Sequence, residues 1–328
     1  MDSRFMFLDD EEFIIGDENS LEESYNVSEE DMNKFGIIEC VEDPGVACYR
    51  IALENEQNYN AIMTAMLTRE YQVLESTGKE MVYEASAIKG FLDRVHEMVQ
   101  RFWAKVKGVF KKVMDNINSI VLSNKAFVKK YRSMTSKLKT PAEKNFTGYE
   151  FNNEKMIVPY SKAVTEIKKI KYGFTSEKSV SMTLDKVRTI LCGGTEASSE
   201  GFAETLKEVI YGGKNTKVVS LVDFETLLNR LEDAGNSKKA AKDSHKEAES
   251  AVKGLLSEVK SLMSDAKSKE DDDRVKYLKT KADAISKSLT IMSTALSVQT
   301  RAIVAQAVQD RKMANYWVNS QNTKEEKK

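Results

Sequence analysis

The sequence reads LLNRLEDAGNSKKAAKDSHKEAESAVKGLLSEVKSLMSDA over residues 227–266 and VKYLKTKADAISKSLTIMSTALSVQTRAI over residues 275–303. In both stretches apolar residues recur with alternating steps of three and four, which is the spacing of a coiled-coil seam. These two stretches therefore determine the predicted fold. The predicted seam contacts are the apolar residues Leu255, Val259, Leu262, Val275, Leu278, Ile285, Leu289 and Leu296.

The segment between the two stretches, KSKEDDD at residues 267–273, is too charged to carry a seam. A charged break between two helical stripes favours a chain reversal, so we predict an antiparallel coiled-coil hairpin over residues 222–317. At 1.5 Å per residue its arms are about 60 Å long. Many seam positions are alanine and bury little area, so the hairpin is expected to pack on the N-terminal helices or on other copies. Polar residues, which fix register at a cost in stability, interrupt the seam at Lys238, His245, Gln299 and Gln306.

Helix breakers are scarce in this chain of 328 residues, which has 15 glycines and 3 prolines, the last of them Pro159. The second half is therefore free to be helical, and we predict a mainly α fold, a helical bundle that contains the hairpin. Aromatic and β-branched residues over 146–158 predict a minor β hairpin or an ordered loop, and a hinge between the two halves. Glycine pairs at 193–194 and 212–213 predict the ends of short helices, and Asp223 is a predicted N-cap.

Five segments follow from these patterns. An acidic arm, which we predict to be extended, occupies residues 1–45, and a helical region with a basic amphipathic helix occupies residues 46–140. Residues 141–221 are the predicted linker with short helices. The hairpin then occupies residues 222–317, and residues 318–328 form a frayed tail.

Residues 88–122 form the predicted amphipathic helix, with apolar and aromatic residues on one face and lysine and arginine mainly on the other. Two interpretations compete. In the first, the apolar stripe is the core of a helical bundle, which is where most amphipathic helices bury that side. In the second, the stripe lies in a membrane interface, where Trp and Phe opposite a Lys-rich face are the expected composition. The residues that would contact a partner or a membrane are Phe102, Trp103, Lys105, Val106, Phe110, Lys111 and Lys112.

Charge is strongly segregated along the chain, although the net charge is −1. Residues 1–43 carry 15 acidic and 2 basic side chains, whereas residues 101–139 carry 11 basic and 1 acidic. Segregated charge marks contact surfaces, so the acidic arm 1–45 is expected to pair with the basic region. The same charge, with Phe127 and Tyr131 interleaved, also suits a nucleic-acid backbone and its bases. The predicted basic surface consists of Lys125, Lys129, Lys130 and Arg132.

The residue types that carry out catalysis are few and widely separated. The two histidines are His96 and His245, and the three cysteines, Cys40, Cys48 and Cys192, have neither metal-ligand nor disulfide spacing. The glycine pairs do not match the spacing of a phosphate-binding loop. We therefore expect no enzyme activity, no metal and no cofactor.

The sequence also bears on targeting. The first ten residues lack the long apolar region of a signal peptide. The longest uncharged stretch, residues 288–300, is shorter than the roughly 18 residues that cross a bilayer as a helix. We therefore predict neither a signal peptide nor a transmembrane helix.

Three phrases resemble helical virion structural proteins of large tailed bacteriophages: ENEQNYNAIMTAM at 54–66, EMVYE at 80–84 and FWAKVKGVFKKVM at 102–114. The resemblance covers roughly residues 50–120 and implies a head-associated or internal protein of a phage particle. It places the protein in the virion and in the host cytoplasm.

We therefore expect a non-enzymatic structural or assembly protein of a large complex, whose partners are other virion proteins or copies of itself. The first alternative is a membrane-active protein that inserts its amphipathic helix at a lipid surface. The second is a nucleic-acid-binding scaffold whose basic residues contact the DNA backbone.

Overall fold

The structure, a computed structural model, describes residues 85–141, 145–172, 177–266 and 272–322, all of which belong to one compact unit. The predictions for the acidic arm 1–45, for the helices before residue 85, for Cys40 and Cys48, and for the end of the tail lie outside these residues. So does most of the charged reversal, residues 267–271.

Seven α-helices and one pair of short strands form the described part of the chain, so the predicted mainly α fold is confirmed. A single turn of 3₁₀ helix, Thr135–Lys137, follows the first helix. The strands are β1 (Asn145–Gly148) and β2 (Lys217–Ser220). The helices are α1 (Ala85–Arg132), α2 (Tyr160–Lys168), α3 (Glu177–Leu191), α4 (Phe202–Tyr211), α5 (Phe224–Asp233), α6 (Gly235–Asp265) and α7 (Asp272–Asn322).

Helix α7 is the centre of the fold and contacts all six other helices. Small side chains along it let its neighbours approach closely, and most of its positions between Lys281 and Val308 are buried. Two of its buried hydroxyls bond within the helix: Ser286 and Thr300 each donate to the carbonyl four residues earlier, at 3.0 and 2.8 Å. Such bonds let hydroxyl side chains occupy buried positions on this helix.

The coiled-coil hairpin of residues 222–317 is only partly reproduced. α6 and α7 do lie side by side and antiparallel. Two ion pairs show this: Asp265 pairs with Arg274 at 3.5 Å, and Glu258 pairs with Lys281 at 2.5 Å. However, α1 packs against both helices, so the three share one core and the coiled-coil geometry stays a prediction. Val275 is half-buried, and the other seam residues are buried in that shared core: Leu255, Val259, Leu262, Leu278, Ile285, Leu289 and Leu296.

The first arm of the predicted hairpin consists of two helices, α5 and α6. The chain leaves the helical conformation at Ala234, whose φ of 49° is left-handed, and this residue separates α5 from α6. Asp223 caps α5 as predicted, since its carboxylate accepts from the backbone N–H groups of Glu225 and Thr226. The apolar spacing continues across the break, which is why the sequence pattern does not reveal it.

The short sheet differs from the predicted β hairpin near 146–158. β1 pairs antiparallel with β2, with Asn145 opposite Ser220 and Gly148 opposite Lys217, so its partner is distant in sequence. Residues 149–159 form an ordered loop against α7, and two of its side chains, Met156 and Val158, are fully buried. This loop is held in the core and is not a boundary between compact units, which argues against the predicted hinge.

The predicted glycine stops are confirmed. α3 ends at Leu191 before Gly193 and Gly194, and α4 ends at Tyr211 before Gly212 and Gly213; all four glycines have positive φ. Gly212 also permits a close approach, because a Cβ there would lie 2.2 Å from the carbonyl oxygen of Glu150.

Candidate interaction surface

The apolar stripe of α1 lies in the core. Phe102, Val106 and Phe110 are buried, and Trp103 is half-buried against the same cluster. On α6, His245 packs with its ring centroid 5.7 Å from that of Trp103 and 5.5 Å from that of Phe110. The bundle interpretation of this stripe therefore describes the structure, and a membrane could reach these side chains only if the bundle opened.

Three of the polar seam residues predicted for the hairpin serve other contacts. His245 faces α1, and its burial lowers its pKa. Gln299 binds the loop before α2: its Nε2 donates to the carbonyl of Met156 at 2.6 Å and to Ser244 Oγ at 2.9 Å, and its Oε1 accepts from the Tyr160 hydroxyl at 3.0 Å. Further along α7, Gln306 donates to Asn153 Oδ1 at 2.5 Å. These amides fix the loop on α7.

Lys105 is not part of the basic face on which the sequence placed it. It is 0% exposed, and its Nζ donates to Ser293 Oγ on α7. Burial lowers the pKa of Lys105 to about 8, because the charged form loses its hydration. The position of Lys105 along the helix could have predicted its burial. It lies three residues after Phe102 and four before Val109, inside the apolar stripe.

The outer face of α1 is basic and solvent-exposed. Helix α1 contains eleven basic and only three acidic side chains, and of the basic ones Lys105 lies in the core. Within the described part of the chain, Lys111, Lys125 and Lys129 are exposed and form no ion pair. We call the following exposed residues the outer basic face: Lys89, Arg94, Lys111, Lys112, Lys125, Lys129 and Lys130.

The C-terminal part of α1 is anchored by its other sides. Arg132, predicted as basic surface, binds α5 instead, through Asn229 Oδ1 at 3.0 Å and the carboxylate of Glu232. Phe127 is half-buried under Arg311, whose guanidinium lies 3.7 Å from the ring centroid. Phe127 therefore has its ring face covered and does not offer the base-stacking surface that the sequence suggested.

The catalytic candidates are not brought together. Among residues 85–322 as far as the structure describes them, no group of three His, Cys, Asp or Glu side chains could hold a metal ion. Cys192 is fully buried, and burial raises its pKa to about 11, so its thiolate is scarce at neutral pH. The surface with the clearest chemical character is thus the outer basic face.

Two further results bear on identity. No helix in the described ranges combines the length and the apolarity needed to cross a bilayer. Comparison of the chain with protein-family models, with curated proteins and with solved structures found no match.

Proposed function

We propose that the protein is a non-enzymatic structural protein of a large assembly, a phage particle, in which the outer basic face of α1 contacts an acidic partner surface. The observation that carries this proposal is the division of α1 into two faces. One face is buried against α6 and α7 along the helix, and the other exposes lysines, of which Lys111, Lys125 and Lys129 form no ion pair in the described part of the chain.

The rigidity of α1 supports a role in contact rather than in chemistry. Its 48 residues pack against α5, α6 and α7, so the backbone positions that carry its exposed charges are fixed. Fixed charges on a rigid element select a complementary surface without ordering a flexible segment first. The resemblance of residues 50–120 to virion structural proteins supports the choice of a phage particle as the assembly.

Peptide mass spectrometry of purified particles tests this proposal. We expect the protein in particles at a constant number of copies, and we expect it to stay after a wash that removes host proteins. A protein that is abundant in infected cells but missing from washed particles would contradict the proposal. Light scattering on the isolated protein then distinguishes a monomer, which needs other virion proteins, from self-association.

The membrane alternative is favoured by the composition of residues 88–122, with Trp103 and Phe110 opposite lysines. It requires the bundle to open, because Phe110 is 3% exposed. Co-sedimentation with anionic vesicles tests it, using the wild type and a Trp103→Glu variant. If the wild type pellets with vesicles and the variant does not, the result supports the membrane alternative over the assembly role. If both proteins stay in the supernatant, the membrane alternative is wrong.

A further inference from the structure

The sequence of α1 repeats itself every 18 residues. The three units are IKGFLDRV at 88–95, VKGVFKKV at 106–113 and NKAFVKKY at 124–131. In each unit lysine is second, a small residue is third, two apolar residues follow, and two charged residues are sixth and seventh. The helical period requires only that apolar positions recur. The recurrence of lysine and of the charged pair is therefore a separate feature.

The repeat aligns its units on one side of the helix. Eighteen residues are five turns of 3.6 residues and about 27 Å of helix, so equivalent residues lie on a line parallel to the axis. Burial follows the same phase: the fifth residues of the units, Leu92, Phe110 and Val128, are all buried. The seventh residues, Arg94, Lys112 and Lys130, are all exposed. α1 thus presents three basic clusters over about 60 Å of one face.

We propose that the outer basic face of α1 binds the phosphate backbone of double-stranded DNA, with the duplex running along the helix and contacting all three units. This inference rests on the proposed function for an acidic partner and names that partner. Duplex DNA carries one negative charge per about 1.7 Å of its axis, so it presents phosphates along the whole length that the three clusters span. An acidic protein would need its own acidic sites spaced by about 27 Å to do the same.

The side-chain chemistry fits contacts to phosphate without base readout. Six of the seven residues of the outer basic face are lysines, which bind phosphate as point charges. Phe127 is covered by Arg311, so its ring face is already occupied. Gly90, the third residue of the first unit, has open space where a Cβ would stand, so no packing among the described residues requires a glycine there. Binding is therefore expected to be independent of DNA sequence.

The three units differ in strength. The sixth residue is Asp93 in the first unit but Lys111 and Lys129 in the second and third. Asp93 therefore weakens the first unit by repelling a phosphate where the other two attract one. Changing Asp93 to lysine would make the first unit match the others, which gives a test by gain as well as by loss.

The test measures binding of a labelled 24-base-pair DNA duplex of mixed sequence by fluorescence anisotropy from 50 to 300 mM NaCl. We expect the logarithm of the association constant to fall linearly with the logarithm of salt, by about 0.9 per contacted phosphate. The double variant Lys111→Gln, Lys129→Gln should lower the steepness of that slope by about 2 and weaken binding at least tenfold at 100 mM salt. Asp93→Lys should steepen the slope by about 1 and tighten binding several-fold.

A matched control separates the face from net charge. Glu196→Lys makes the same charge change in the exposed loop between α3 and α4, so it should tighten binding far less than Asp93→Lys. Circular dichroism checks that each variant is folded.

Three results would overturn the DNA proposal: no binding at 50 mM salt, equal effects of Glu196→Lys and Asp93→Lys, or tighter binding of polyglutamate or anionic vesicles than of duplex at the same ionic strength. Each would leave the particle test untouched, since a virion protein can contact an acidic protein instead.

Discussion

Replacing the buried Lys105 by methionine is expected to stabilise the protein at neutral pH, although most core substitutions destabilise. A lysine pKa lowered from 10.5 to about 8 corresponds, at 1.36 kcal/mol per tenfold change in proton affinity, to about 3 kcal/mol of destabilisation when the group is charged. Methionine has a similar length and no charge. It loses the hydrogen bond to Ser293, worth about 1–1.5 kcal/mol. The expected net gain at pH 7 is therefore about 1–2 kcal/mol.

The gain should depend on pH in a defined direction. Between pH 8 and 10.5 the unfolded chain holds the Lys105 proton and the folded protein releases it, so wild-type stability from this group rises with pH. The advantage of Lys105→Met should therefore shrink from pH 8 upward and reverse by about pH 10.5, where the folded wild type carries a neutral Lys105 and only the lost hydrogen bond to Ser293 remains. Urea unfolding followed by circular dichroism at pH 7, 8.5 and 10 measures this difference.

Lys111→Met is the matched control, because it makes the same substitution at an exposed position of the same helix. Its effect should stay within about 0.5 kcal/mol at every pH. A loss of more than 1 kcal/mol for Lys105→Met at pH 7, or a difference that does not change with pH, would show that burial of the Lys105 charge does not destabilise the protein. The charge of Lys105 would then be compensated in the core.

Three further predictions concern the core. Gln299→Ala should lower the free energy of unfolding in urea by about 3 kcal/mol or more, because it leaves the Met156 carbonyl and the Tyr160 hydroxyl unpaired. Tyr160→Phe removes one hydrogen bond and should lower it by about 1 kcal/mol. Equal losses for the two variants would contradict this prediction. Glu258→Gln should lower the free energy of unfolding by about 3–5 kcal/mol, because it leaves the buried Lys281 charge without its ion-pair partner. Glu97→Gln, in an exposed ion pair, should change it by under about 0.5 kcal/mol. Similar effects of the two variants would show that burial of the pair does not matter. Gly212→Ala should lower the melting temperature more than Gly194→Ala. Both glycines have positive φ, but only a Cβ at Gly212 would clash with the Glu150 carbonyl. A larger effect of Gly194→Ala would contradict the close approach of Gly212 to Glu150.

Local patterns predicted local features well. The amphipathic spacing of 88–122 predicted α1, Asp223 was recognised as a cap from its residue type and place, and the glycine pairs marked the ends of α3 and α4. Each of these depends on residues within one or two turns of the chain. The exposure of Lys125, Lys129 and Lys130 was predicted for the same reason.

Features that depend on distant residues were not predicted. The partner of β1 is β2, whose choice no local signal encodes. α7 is surrounded by other helices, so its apolar stripe marks only one of its buried sides, and Gln299 turned out to bind the loop before α2. Lys105 was assigned to the surface by residue type, although its helical position placed it with Phe102 and Val109. Arg132 was assigned in the same way and binds α5.

The proposed function requires that the outer basic face of α1 contact the rest of the assembly. Lysine acetylation followed by mass spectrometry, on the isolated protein and on intact particles, measures whether this face is covered. In the isolated protein Lys111, Lys125 and Lys129 should react fast and the buried Lys105 slowly. In particles the three outer lysines should become protected, while Lys260 on the exposed side of α6 stays reactive. Unchanged reactivity of Lys111, Lys125 and Lys129 in particles would contradict the proposed contact surface.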